Sequence, residues 1–93
     1  MKKTLRIEYE KKADKFIAKN NIPTEEISDL IKKAAGKING KDENIDLKML
    51  RGKLLGLFRI RRGDLRVVFS YSDSGKTIIV TVVNIDFRGS VYE

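Results

Sequence analysis

Leu57-Phe58-Arg59-Ile60-Arg61-Arg62-Gly63-Asp64-Leu65-Arg66-Val67-Val68-Phe69 alternates apolar and basic residues, breaks at a Gly-Asp, and then resumes. A repeat of two is the strand period, and Gly-Asp between two such runs marks a hairpin turn. The segment therefore predicts two antiparallel strands that carry arginines on an apolar frame. Phe58 and Ile60 fall on one face and Arg59 and Arg61 on the other, with Arg66 across the hairpin. A guanidinium held on a strand is placed in space, whereas one on a loose tail is only charged. Placed guanidinium groups suit phosphate recognition and the neutralisation of charge developing at phosphorus.

Working outward, the hairpin strands span 57–61 and 65–71, and a third strand over 77–85 follows a turn at Ser72-Asp73-Ser74-Gly75. Upstream, Leu5, Ile7 and Tyr9 alternate with Arg6 and Glu8, which predicts a half-buried first strand over 4–9. Residues 10–20 continue from Tyr9 with Ala13, Phe16 and Ile17 on one helical stripe that stops at Asn20-Asn21. Pro23-Thr24-Glu25-Glu26 opens a second helix, with threonine as cap and acids at the positive dipole end. Ile27, Leu30, Ile31, Ala34, Ala35 and Ile38 then recur at spacings of three and four until Gly40 closes the helix.

Residues 41–46 read as a polar surface loop, in which Asp42, Glu43 and Asp46 solvate the chain and match no metal loop. Residues 49–56 fit either irregular chain or a short strand approach. The order β-α-α-β-β-β makes one α+β domain over residues 1–93. Its expected form is a two-helix hairpin packed on one face of a four-stranded, mostly antiparallel twisted sheet. The first strand joins at an edge, and the second face stays free for solvent or ligand.

Composition agrees with a single core. The 93 residues are 41% hydrophobic, with four Phe and three Tyr, so the chain folds as a globule rather than a basic tail. Its net charge of +7 comes from 20 basic and 13 acidic residues and favours a polyanion or an acidic protein as partner. The excess is uneven: residues 1–47 hold 11 basic and 9 acidic side chains, residues 48–93 hold 9 and 4. The absence of Cys and His excludes disulfides, thiolate nucleophiles, Ser-His and Cys-His triads and the commonest metal ligands. No metal site and no cofactor are expected. Met1-Lys2-Lys3-Thr4-Leu5-Arg6 is followed by no apolar run, and no segment is long enough to span a membrane, so a cytoplasmic location is expected.

Between residues 51 and 66 the cations are Arg51, Lys53, Arg59, Arg61, Arg62 and Arg66, against the single acid Asp64. The ordinary role of such residues is to wet an open sheet face and to blunt its edges. Lys11, Lys12, Lys15 and Lys19 are likewise read as the solvated face of the first helix. The second-half cluster departs from it in being almost all arginine and in lacking carboxylates close in sequence.

Leu50-Arg51-Gly52, the hairpin from Phe58 to Phe69, and the closing Asn84-Ile85-Asp86-Phe87-Arg88-Gly89-Ser90-Val91-Tyr92 together resemble the RelE/ParE toxin superfamily. The resemblance runs over nearly the whole chain, and its specificity lies in the second half. It implies a toxin of a type II toxin–antitoxin pair, neutralised by a cognate antitoxin that wraps it. RelE-like members cleave mRNA, often in the ribosomal A site, whereas ParE-like members poison DNA gyrase. Matched by motif, Arg59 and Arg61 fall on strand positions that the nucleases fill with Lys or Arg. Arg66 falls on the arginine of the next strand, and Arg88 and Tyr92 on the closing arginine and tyrosine. Keeping all five favours the nuclease branch. The alternatives are a ParE-like gyrase inhibitor and a non-catalytic RNA-binding module. The chain departs from the family at Phe87, where many members have His.

The implied reaction needs no metal. The ribose 2′-hydroxyl attacks the adjacent phosphorus, leaving a 2′,3′-cyclic phosphate and a 5′-hydroxyl. Arginine stays protonated because its pKa exceeds about 12, so Arg61, Arg66 and Arg88 are assigned to charge stabilisation and phosphate orientation. Tyr92 is the candidate base: its reference pKa is about 10, and neighbouring cations favour the phenolate. Arg51, Lys53, Arg59 and Arg62 are expected to hold the RNA backbone. Reliance on the ribosome to position the message would offset so sparse an acid/base set.

Overall fold

The computed structural model describes residues 3–87. The chain runs through β1 (Thr4–Tyr9), α1 (Lys11–Lys19), α2 (Thr24–Ile38), β2 (Asp46–Met49), β3 (Leu57–Arg62), β4 (Leu65–Asp73) and β5 (Thr77–Phe87). Both helices end in the same backbone device. In α1, Asn21 takes a left-handed φ of 52°. The Ile22 amide then reaches back to the Ile17 carbonyl at 3.1 Å. In α2, Gly40 (φ 90°) fills that position, and the Lys41 amide bonds the Gly36 carbonyl at 2.9 Å. The expected stops at Asn20-Asn21 and Gly40 are therefore real. The expected threonine cap is not: Pro23 occupies the N-cap position without a side-chain bond, and Thr24 is already helical.

The sheet has five strands in the order β1-β5-β4-β3-β2, one more than expected. β1 lies at an edge, parallel to β5, and every other pairing is antiparallel. The additional strand is β2, which falls where the sequence predicts loop and uncertain chain. Four residues reading Asp-Leu-Lys-Met carry little strand propensity of their own; the pairing Asp46↔Arg61 through Met49↔Phe58 makes the strand. The central hairpin turns at Gly63-Asp64, with Arg62 opposite Leu65. Gly63 supplies the positive φ (58°) that a two-residue Gly-first turn needs.

The helices cover one face of the sheet. Ile27, Leu30, Ile31 and Ala34 of α2 and Ala13 of α1 pack against Ile60, Val67, Phe69, Val80, Val82 and Ile85. Phe69 is the largest of the fully buried side chains. Phe58 stacks on it with ring centroids 5.5 Å apart, and Tyr71 meets Phe58 edge-on at 6.3 Å. A bulge interrupts the β4–β5 ladder: Val68 pairs with Asn84 but Phe69 with Val82, which leaves Val83 as the extra residue. The insertion reverses the alternation of β5. Ile85 joins the helix-side core, and Phe87 tilts against Phe16 of α1 at 5.3 Å. Asp86 is thereby turned to the other face.

That other face is only partly open, contrary to expectation. The chain after β2 folds back through a 3-10 turn, Gly52–Leu54. Leu50 and Leu54 close over Val68 with Leu57 and Val83 as a second, smaller apolar cluster. At the tip of β4–β5, Asp73 accepts from Lys3 Nζ at 2.6 Å and from the Gly75 amide at 2.8 Å.

Truncating Phe69 to Ala is expected to lower the unfolding free energy by about 3–5 kcal/mol, measured by urea denaturation. The Lys3 hydrogen bond, then the Gly75 amide, hold the Asp73 carboxyl below its usual 3.8. A carboxylate with a depressed folded-state pKa binds fewer protons folded than unfolded. Its stabilisation is therefore present above 3.8 and disappears as pH falls through the lowered value. Thermal melts should show Asp73→Asn less stable than wild type at neutral pH, with the gap closing in acid.

Candidate nucleic-acid interface

The β3–β4 register sets Arg61 directly opposite Arg66. The neighbouring ladders extend this rung in both directions, with Asp46 opposite Arg61 and Asp86 opposite Arg66. One row across four strands thus reads Asp46, Arg61, Arg66, Asp86, on the face away from the helices. The next row down reads Lys48, Arg59, Val68, Asn84.

Asp46 joins the two rows. Its Oδ1 accepts from Arg59 Nη2 at 3.1 Å and its Oδ2 lies 2.7 Å from Arg61 Nη2. The two arginines differ in environment: the Arg59 side chain is 6% exposed and that of Arg61 45%. Arg59 is part of the protein interior, and Arg61 faces solvent from its ion pair. A partner for these cations is absent from the nearby sequence but present in space, 13 residues away from Arg59. Asp46 is thus an ion-pair centre rather than a solvating loop residue.

The other candidates separate. Arg66 is half-buried beside Arg61 in the row. Arg62 lies on the opposite face, with Nη2 3.8 Å from Asp29 of α2, so it is not part of the same surface. Asp29 also pairs with Lys33 one turn along the helix at 3.5 Å. Arg51 and Lys53 sit on the segment that folds back over the sheet, exposed to solvent. Arg51 and Lys48 rim an apolar hollow of about 990 Å³ lined by Leu47, Met49, Leu50, Leu54 and Leu55. Arg88 and Tyr92 lie outside the described residues. Phe87 packs toward α1, away from the arginine row.

Sequence reasoning missed Asp46. A signal for it existed in the alternation of Ile45, Leu47 and Met49 with Asp46 and Lys48, which places both charged side chains on one strand face. Among the described residues no group of three or more His, Cys, Asp or Glu could hold a metal ion. None of the described helices is long and apolar enough to cross a membrane.

Removing either arginine should affect stability unequally. Arg59→Ala empties a buried position and leaves one Asp46 oxygen without that donor, at an expected cost of roughly 2–3 kcal/mol. Arg61→Ala, on a half-exposed pair, should cost less than about 1 kcal/mol. Chemical denaturation of the two variants checks the contrast.

Comparison by sequence finds no matching family model and no matching curated protein. Comparison of the fold does find relatives. The YoeB/ParE toxin from Agrobacterium tumefaciens superposes with a TM-score of 0.67 at 20% identity, over 89% of this chain and 98% of that one. The structure of the RelB–RelE antitoxin–toxin complex from Methanococcus jannaschii matches with a TM-score of 0.57 at 23% identity, over 91% and 94%. YafQ from Escherichia coli matches with a TM-score of 0.63 at 12% identity, over 97% and 100%. At these identities the likeness establishes architecture, and the chain has the fold of the RelE/ParE-type toxins.

Proposed function

We propose that this chain is the toxin of a type II toxin–antitoxin pair and a metal-independent endoribonuclease that cleaves mRNA on the ribosome. The observation that carries the proposal is the pairing of Arg61 with Arg66 on the sheet face that the helices leave uncovered. Two guanidinium groups side by side, each flanked by an acid on its outer side, can still share an anion placed above them through donors those acids do not use. A bridging phosphate of an RNA backbone is such an anion. The shared toxin fold supports the same reading, as do the arginine and tyrosine of the closing sequence motif.

In the proposed reaction the 2′-oxygen attacks the neighbouring phosphorus and the bond from phosphorus to the 5′-oxygen breaks. The 2′-hydroxyl proton passes to the Tyr92 phenolate, and the departing 5′-oxygen takes a proton from a solvent water, whose hydroxide the Tyr92 phenol then neutralises, restoring the phenolate. Arg61 and Arg66 orient the phosphate and offset the charge on its non-bridging oxygens, with Arg88 as third cation. Arg88 follows β5 directly in sequence, one residue after Phe87. The burial of Arg59 and the placement of Arg62 beside α2 narrow the RNA-contacting set to Arg61 and Arg66, flanked by Arg51 and Lys53. The antitoxin is assigned as a protein with acidic character, to suit a net charge of +7.

A purified translation system tests the proposal. Adding the protein should yield message fragments at codon spacing, each ending in a 2′,3′-cyclic phosphate. Arg61→Ala, Arg66→Ala and Arg88→Ala should each reduce cleavage by roughly 10²- to 10³-fold, as loss of a charge-stabilising group does. Tyr92→Phe should reduce it by about 10²- to 10⁴-fold. Intact message combined with blocked gyrase supercoiling would replace the nuclease reading with the gyrase one.

A further inference from the structure

We propose that Asp46 is a positioning residue: held by the buried Arg59, it fixes the direction of the Arg61 guanidinium on the open sheet face. This rests on the phosphate-binding role proposed above for Arg61 and adds a residue that neither motif nor fold likeness singles out.

The geometry is a relay of three side chains. Arg59, at 6% side-chain exposure, is set by the surrounding packing and offers Nη2 to Oδ1 of Asp46 at 3.1 Å. With one oxygen so fixed, the carboxylate plane is fixed too. Oδ2 then stands 2.7 Å from Arg61 Nη2. Asp46 is directly opposite Arg61 in the β2–β3 ladder and diagonal to Arg59, so the backbone register puts the carboxylate within reach of both. Arginine carries five N–H donors in a planar fork. A contact through Nη2 leaves further donors of Arg61 available for a phosphate. A free surface arginine must surrender rotamer freedom when it binds, and one already held in place surrenders less.

Asp46 also has a charge effect of the opposite sign, since a carboxylate near a phosphate site repels the ligand. The two effects predict opposite outcomes for one substitution. If orientation dominates, Asp46→Asn weakens binding; if repulsion dominates, it tightens binding. The structure favours orientation because the carboxylate is already neutralised by two guanidinium groups.

The probe is a short 2′-O-methylated RNA, which has no 2′-hydroxyl to attack phosphorus, read by fluorescence anisotropy at fixed salt. Wild type, Asp46→Asn, Asp46→Glu, Arg61→Ala and the Asp46→Asn/Arg61→Ala double variant are compared, with thermal melts confirming that each is folded at the assay temperature. Asp46→Asn is expected to weaken binding about tenfold and to add nothing once Arg61 is removed, which is the coupling a contacting pair shows. Asp46→Glu is expected to recover part of the loss. Tighter binding by Asp46→Asn, or an equal loss with and without Arg61, overturns the inference and leaves the nuclease proposal standing. Wild type that does not bind, or Arg61→Ala that binds as well as wild type, overturns the role of Arg61 and the inference with it. Should Asp46→Asn prove unfolded, Arg59→Lys replaces it. Lysine keeps the charge but has no planar fork to set the carboxylate, so the same Arg61-dependent loss is expected.

Discussion

Arg61 and Arg66 face each other across β3 and β4 because the two-residue turn at Gly63-Asp64 sets the register and the apolar pattern sets the faces. A slip of one position would turn Phe58 and Ile60 toward solvent and drive arginines into the core. The hydrophobic pattern therefore imposes a pair of like charges at cross-strand distance, an arrangement that destabilises a sheet. The structure answers with negative charge at both ends of the rung. Asp46 on β2 and Asp86 on β5 stand outside the two cations, opposite Arg61 and Arg66 respectively. Two features bring those acids into place.

The first is β2 itself, a four-residue edge strand that exists because β3 offers it a ladder. The second is the bulge at Val83. Without the extra residue, the alternation that buries Ile78, Val80 and Val82 would carry Asn84 and Asp86 into the helix-side core and Ile85 and Phe87 out of it. A charged carboxylate there would need a buried partner. The bulge lets one strand serve the core along its length and still present an acid at the end of the arginine row. It also frees Phe87 to meet Phe16, tying the end of β5 to α1.

These features mark the limit of what local pattern could disclose. The hairpin, the helix stops and the arginine faces all follow from periods of two and 3.6 and from left-handed caps at Asn21 and Gly40, so they were legible in the chain. The fifth strand was harder to read: the alternation over residues 45–49 is short, follows a polar run, and becomes a strand only through pairing with β3. The partners of Arg59 and Arg61 were hidden for the same reason: their carboxylate is remote in sequence and near only after β2 docks. Arg62 shows the converse error. Adjacent to Arg61 in the chain, it belongs by alternation to the opposite face and pairs with Asp29, so counting it with the cluster ignored the strand period.

The divided second face connects this electrostatics to use. Among the described residues, the cover made by Leu50 and Leu54 lies at the end of the face near Leu57, where the sheet is apolar, and Arg61 at the other end keeps a side chain 45% exposed. A cover over the whole face would bury two guanidinium groups at a desolvation cost of several kcal/mol each. No cover at all would expose Val68 and Leu57 as an apolar patch beside a charged site. The fold-back of residues 50–56 removes the second problem without creating the first, and carries Arg51 and Lys53 exposed on its own surface. On the proposed reading, an extended polyanion can engage both the arginine row and the exposed cations of the fold-back, whereas a small anion engages one of them alone. On the proposed nuclease reading, the shape of the cover, as much as the arginines beyond it, suits a chain of phosphates as the ligand.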